Sequence, residues 1–104
     1  MMDMESLKNL KVGDRVWVST EKRPYRVRCR SDRYIICTKP MNIRKTVRYF
    51  IIDLVEWIRG PDNMIFCFGY ETDDQCAERL SELESGMIEV SHRSRVPLDI
   101  IKVQ

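Results

Sequence analysis

From Tyr25 to Arg30 the chain alternates without a break between apolar and basic side chains: Tyr25, Val27 and Cys29 in one set, Arg26, Arg28 and Arg30 in the other. Only a strand, with its period of two, keeps each set on one side. A second extended stretch, Arg33 to Thr38, follows Ser31-Asp32, so the pair reads as a β-hairpin. Its two-residue loop lacks the glycine that such turns favour. With that loop Arg30 faces Arg33, Cys29 faces Tyr34, Arg28 faces Ile35 and Val27 faces Ile36. The expected core face is Tyr25, Val27, Cys29, Tyr34 and Ile36. The opposite face carries Arg26, Arg28, Arg30 and Arg33 over a floor of Ile35 and Cys37.

The remaining elements arrange themselves around this hairpin. Val12 to Val18 predicts a first strand, opened by a Gly13-Asp14 turn or bulge. Lys39-Pro40-Met41-Asn42 closes the hairpin, because proline cannot donate to a ladder. A third strand runs from about Thr46 to Leu54 and is apolar on both faces. Trp57, Ile58 and Arg59 extend it or return on it, and Gly60-Pro61-Asp62-Asn63 is a turn before a short strand at Met64 to Phe68. Thr72-Asp73-Asp74-Gln75 is a capping box, and Cys76, Ala77, Leu80 and Leu83 recur at helical spacing up to Gly86. Ile88 to His92 alternates like a strand, and Leu98 to Val103 supplies a last edge strand beyond Pro97. Residues 1–10 form a polar lead or one helical turn, and 11–104 form a single domain. The expected class is α+β: a small, strongly bent antiparallel sheet or SH3-like half-barrel of five to six strands with one helix packed on it.

A chain of 104 residues buries one modest core without metals or disulfides. No apolar run approaches the roughly 20 residues that span a bilayer. The N-terminal Met-Met-Asp-Met-Glu-Ser lacks the basic start and apolar stretch of a signal peptide, so the expected location is the cytoplasm, with no membrane contact. Cys29, Cys37, Cys67 and Cys76 form no C-x-x-C pair and no zinc template; they read as small buried apolar residues.

Charge is segregated along the chain. Residues 22–48 carry ten basic residues against Asp32 alone, a balance of +9, and the rest carries −7. Arginine outnumbers lysine twelve to six. Guanidinium groups grip phosphate bidentately and stack on flat rings. Like charges side by side on neighbouring strands repel, and an external anion relieves that repulsion. The candidate binding residues are therefore Arg26, Arg28, Arg30, Arg33 and Arg48, with Trp17 as a stacking ring. Against this stands a plain solvated face whose arginines pair with the acidic stretch Asp73 to Glu84 of the same molecule.

Catalytic signatures are missing. His92 is the one histidine, and no phosphate-loop, dinucleotide or zinc-protease motif occurs, so neither a catalytic group, a metal nor a cofactor is implied. Asp53 and Glu56 are the one carboxylate pair near a strand end.

The stretches Arg33 to Pro40, Thr46 to Asp53, Arg59 to Asn63, and Ile88 to Arg93 with Val96-Pro97-Leu98 resemble a family of small uncharacterised proteins encoded by bacteriophages and bacterial mobile elements. The resemblance covers most of the chain after residue 10 and carries no functional residues with it. It implies a setting in which accessory proteins bind nucleic acid or disable host defence, as anti-CRISPR proteins or nucleotide sponges do.

The leading expectation is thus a non-enzymatic phage or mobile-element protein. Its basic face would hold an anionic partner: nucleic acid, a signalling nucleotide or a nucleic-acid-binding host effector. The alternative is a protein–protein module, monomeric or homodimeric, in which the basic hairpin of one copy meets the acidic helix of another. Least favoured is a metal-dependent nuclease using Asp53 and Glu56.

Overall fold

A computed structural model of the chain describes residues 4–40, 47–63, 69–91 and 96–104. Seven strands form one antiparallel sheet, strongly curled into a half-barrel, with one main helix against it. The strands are β1 (Arg15–Val18), β2 (Tyr25–Arg30), β3 (Tyr34–Pro40), β4 (Val47–Asp53), β5 (Ile58–Gly60), β6 (Val96–Pro97) and β7 (Ile100–Val103). The helices are α1 (Met4–Lys8) and α2 (Asp73–Ser85). The spatial order β6-β5-β4-β3-β2-β1-β7 is a meander whose last strand returns beside the first. The expected class stands, with seven strands where five to six were read. Short β6 holds Pro97 on a sheet edge, the position proline tolerates.

The hairpin register differs from the expected one in two ways. Asp32 and Arg33 form the tip, and Ser31 closes it, donating from its N–H to the Tyr34 carbonyl at 2.8 Å and accepting from the Tyr34 N–H at 3.1 Å. Arg30 therefore pairs with Ile35 and Cys29 with Ile36. A bulge then intervenes between Val27 and Cys29, so that Val27 pairs with Cys37 and Arg26 with Thr38. One extra residue in a period-two element moves everything beyond it to the other face.

The single expected core face is thus split between two cores. Tyr25 and Val27 join Ile35 and Cys37 inside the curl, with Leu7, Leu10, Val16, Val18, Phe50, Ile52, Leu98 and Ile100. Cys29, Tyr34 and Ile36 lie outside it, under α2, with Ile51, Tyr70, Cys76, Leu83, Ile88 and Val90. Ile35 and Cys37 are wholly buried and floor no basic surface. β3 and β4 are consequently buried on both sides, which is why Phe50, Ile51 and Ile52 occur in succession.

The lead contributes to this packing: Leu7 and Leu10 sit in the inner core. The β4–β5 turn is closed by Asp53, and Trp57 there adopts a left-handed φ of 59°, a conformation disfavoured for any side chain with a Cβ. Its ring packs on the inner core. α2 is capped as the sequence indicates: Thr72 accepts from the Gln75 N–H, Gln75 accepts from the Thr72 N–H, and left-handed Gly86 ends the helix. Cys76 and Leu83 are its buried positions, Leu80 is half-buried, and Ala77 is exposed, contrary to its expected place in the stripe. Val90 makes one isolated bridge to Asp62 where a strand was expected. Met64 to Phe68, Cys67 and His92 lie outside the described residues. Among the described residues no helix is long and apolar enough to cross a membrane.

Candidate functional site

The six residues singled out from sequence do not share one face. The bulge turns Arg28 toward α2: its Nη2 lies 2.7 Å from Oδ1 of Asp73, and its Nη1 donates to Thr38. The plain alternative, a hairpin arginine paired with the acidic helix of the same molecule, thus holds for Arg28. Arg30 points the other way, past the end of α1. Its Nη1 donates to the carbonyls of Leu7, Lys8 and Leu10, at and just beyond the C-terminus of α1. Arg33, at the tip, grips Asp53 through two nitrogens at 3.0 and 2.9 Å.

Asp53 also accepts the N–H groups of Val55 and Glu56. Burial pushes its carboxyl up, but Arg33 and the two backbone donors outweigh burial and hold it below the ordinary aspartate range. Both oxygens are therefore occupied by turn and ion-pair bonds. Among the described residues no cluster of His, Cys, Asp and Glu is placed to hold a metal. Of the cysteines, Cys37 and Cys76 are buried and Cys29 half-buried; burial pushes the Cys29 thiol up to about 12, so it is an inert thiol at neutral pH.

Two clusters of cations remain. The first lies on the outer side of the sheet where α2 does not reach. Val16 and Val18 point into the curl, so Arg15 and Trp17 point out. Arg15 pairs in register with Arg26, and Trp17 with Lys102. The half-buried indole has the Arg15 guanidinium 5.7 Å and the Lys102 ammonium 4.7 Å from its ring centre. Arg26 reaches the Gly13 carbonyl. Among the described residues none of these three cations has an acidic partner. Trp17 and Arg26 were recognised in the sequence. Arg15 was legible two positions before Trp17, but Lys102 required the β1–β7 pairing of chain ends.

The second cluster lies beside the β1–β2 connection, at the end of the β3–β4 pair away from the hairpin tip. Glu21 Oε1 accepts from Lys39 at 2.7 Å and Arg48 at 2.9 Å. Burial pushes the Glu21 carboxyl up, while Lys39, Tyr25 and Arg48 together bring it below the ordinary range. Lys39 lies over the Tyr25 ring and Arg59 over the Phe50 ring, at 4.8 and 5.2 Å. Arg59 is held by both oxygens of Asp99, which also accepts from the Ser19 hydroxyl. Of this cluster only Arg48 was read from the sequence. Its partners come from four separate segments and carry no local signal.

Comparison of the chain with protein-family models, with curated proteins and with solved structures finds no match.

Proposed function

We propose that this chain is a non-enzymatic binding protein for single-stranded nucleic acid, held on the outer face of β2, β1 and β7. The observation that carries this reading is Trp17, an indole flanked by Arg15 and Lys102 with Arg26 beside them. Phosphates are drawn to cations that lack acidic partners, and a flat ring on a strand face stacks bases of any sequence. The reading keeps Arg26 and Trp17 as binding residues. It leaves Arg28, Arg30 and Arg33 to their structural partners. Resemblance to small proteins of phages and mobile elements supplies the setting, a counter-defence role in the host cytoplasm beside invading or host nucleic acid.

Fluorescence anisotropy with a labelled oligonucleotide tests it. Arg15→Glu with Arg26→Glu is expected to abolish binding while leaving the melting temperature nearly unchanged, since both charges are solvent-facing. Trp17→Ala is expected to weaken binding to single strands more than to duplex. Full retention of affinity in the double variant would remove the outer face from consideration.

A further inference from the structure

Arg48 and Arg59 border a cavity of about 390 Å3, lined also by Thr20, Glu21, Tyr25, Tyr49 and Phe50 among others. That volume lies within the range of small-molecule sites, which favour the mouths of β-barrels. Among the described residues Lys39, Arg48 and Arg59 face Glu21 and Asp99 here, three cations to two carboxylates.

The donors and acceptors that remain define what fits. Arg48 uses only Nη1 internally and its side chain is 56% exposed, so Nε and Nη2 stay available. Arg59 uses Nε and Nη2 on Asp99, which leaves Nη1. Each guanidinium has five N–H donors in a planar fork suited to phosphate. The Glu21 carboxylate, held between Lys39 and Arg48, is an oxyanion that this end of the sheet already binds within the chain. Glu21 Oε2 receives neither Lys39 nor Arg48. The Tyr25 hydroxyl also donates to the Glu21 carboxylate, so a ligand hydroxyl would share the lone pairs that remain on it. Tyr25, Tyr49 and Phe50 also line the cavity, with Arg59 over the Phe50 ring and Lys39 over that of Tyr25.

We infer that this cavity binds a sugar phosphate: the phosphate bridges Arg48 and Arg59, and a sugar hydroxyl donates to Glu21. The same chemistry is met in a free pentose phosphate and in the 5′-terminal nucleotide of a strand. The site is separate from the Trp17 face and stands or falls without it.

Isothermal titration calorimetry with ribose 5-phosphate is the direct test, with ribose and inorganic phosphate alongside. Ribose 5-phosphate is expected to bind more tightly than either. Arg48→Gln is expected to weaken it at least tenfold, and Glu21→Gln to erase its advantage over inorganic phosphate. Arg26→Glu is expected to leave it unchanged. Circular dichroism melts of each variant report folding, and exposed Arg48 is the substitution least able to disturb it. Oligonucleotides with and without a 5′-phosphate separate the two sources: a preference for the phosphorylated end that disappears in Arg48→Gln assigns the cavity to strand termini. Equal binding of both oligonucleotides, with ribose 5-phosphate bound, assigns it to the free sugar. Absence of ribose 5-phosphate binding, equal affinity for inorganic phosphate, or indifference to Arg48→Gln would overturn the assignment. Loss of oligonucleotide binding in Arg26→Glu alone bears on the Trp17 face and not on this cavity.

Discussion

Arg28 donates through Nε and Nη2 to a single carboxylate oxygen of Asp73, at 3.0 and 2.7 Å. The pair joins the bulge of β2 to the first turn of α2. The Asp73 side chain is 87% exposed, so water screens most of the attraction. A double-mutant cycle of Arg28→Ala and Asp73→Ala is expected to give a coupling below about 1 kcal/mol in urea melts. Arg28→Ala is also expected to leave oligonucleotide affinity unchanged, unlike Arg26→Glu. An equal loss in both would return the binding site to the whole hairpin.

Arg30 has a larger structural role. It serves three carbonyls at the end of α1, and Leu7 of that helix is buried in the inner core. Arg30→Ala should cost about 1.5–3 kcal/mol, the range for hydrogen bonds to a charged group. Lysine should restore only part of it, lacking the planar fork. Equilibrium denaturation gives the cost. Faster amide exchange at Leu10, whose N–H bonds the Leu7 carbonyl, places it.

Acid should unfold the protein through three carboxylates. Arg59 holds Asp99 low, helped by Ser19, and Asp53 and Glu21 are lowered despite burial. Below the ordinary carboxylate pKa of about 4 the unfolded chain therefore binds more protons than the folded one. Their contribution is fully present above that pH and is lost as the pH falls through the lower, folded values. Asp53→Asn should flatten the acid limb of a plot of urea midpoint against pH and lower the midpoint at neutrality. An unchanged acid limb would mean that Asp53 titrates alike in both states.

On α2, Thr72→Ala should cost on the order of 1 kcal/mol, since both halves of the capping box are formed. Leu83→Ala should cost roughly 2–5 kcal/mol by opening a cavity under the helix. Half-buried Leu80→Ala should cost less than Leu83→Ala. Chemical denaturation orders the three, and a larger loss at Leu80 would contradict the orientation of the helix.

Salt dependence tests the outer face quantitatively. Three phosphate contacts, from Arg15, Arg26 and Lys102, should give a log–log slope near −2 for single strands. Each charge removed should reduce the slope by about 0.7. A slope near zero would exclude a polyanion as the partner of this face.

Local structure was legible in the residues themselves. The alternation at Tyr25 to Arg30 specified a strand, Thr72 to Gln75 the start of a helix, Gly86 its end, and the apolar run at Phe50 to Ile52 a strand buried on both sides. These signals act within a few residues, through backbone sterics, capping bonds and periodicity. The faces were not legible. A bulge at Arg28 and a tip one residue later than expected redistributed the hairpin between two cores, because register depends on what packs from above and below. The candidate sites were half legible for the same reason. Trp17, Arg26 and Arg48 stand out in the sequence by type. Whether a cation has an internal partner depends on segments far apart in the chain, as Arg59 with Asp99 and Trp17 with Lys102 show. The closing of β7 onto β1 brings Lys102 to Trp17 and, just before the strand, Asp99 to Arg59, contacts across some 40 to 85 positions that no local pattern encodes.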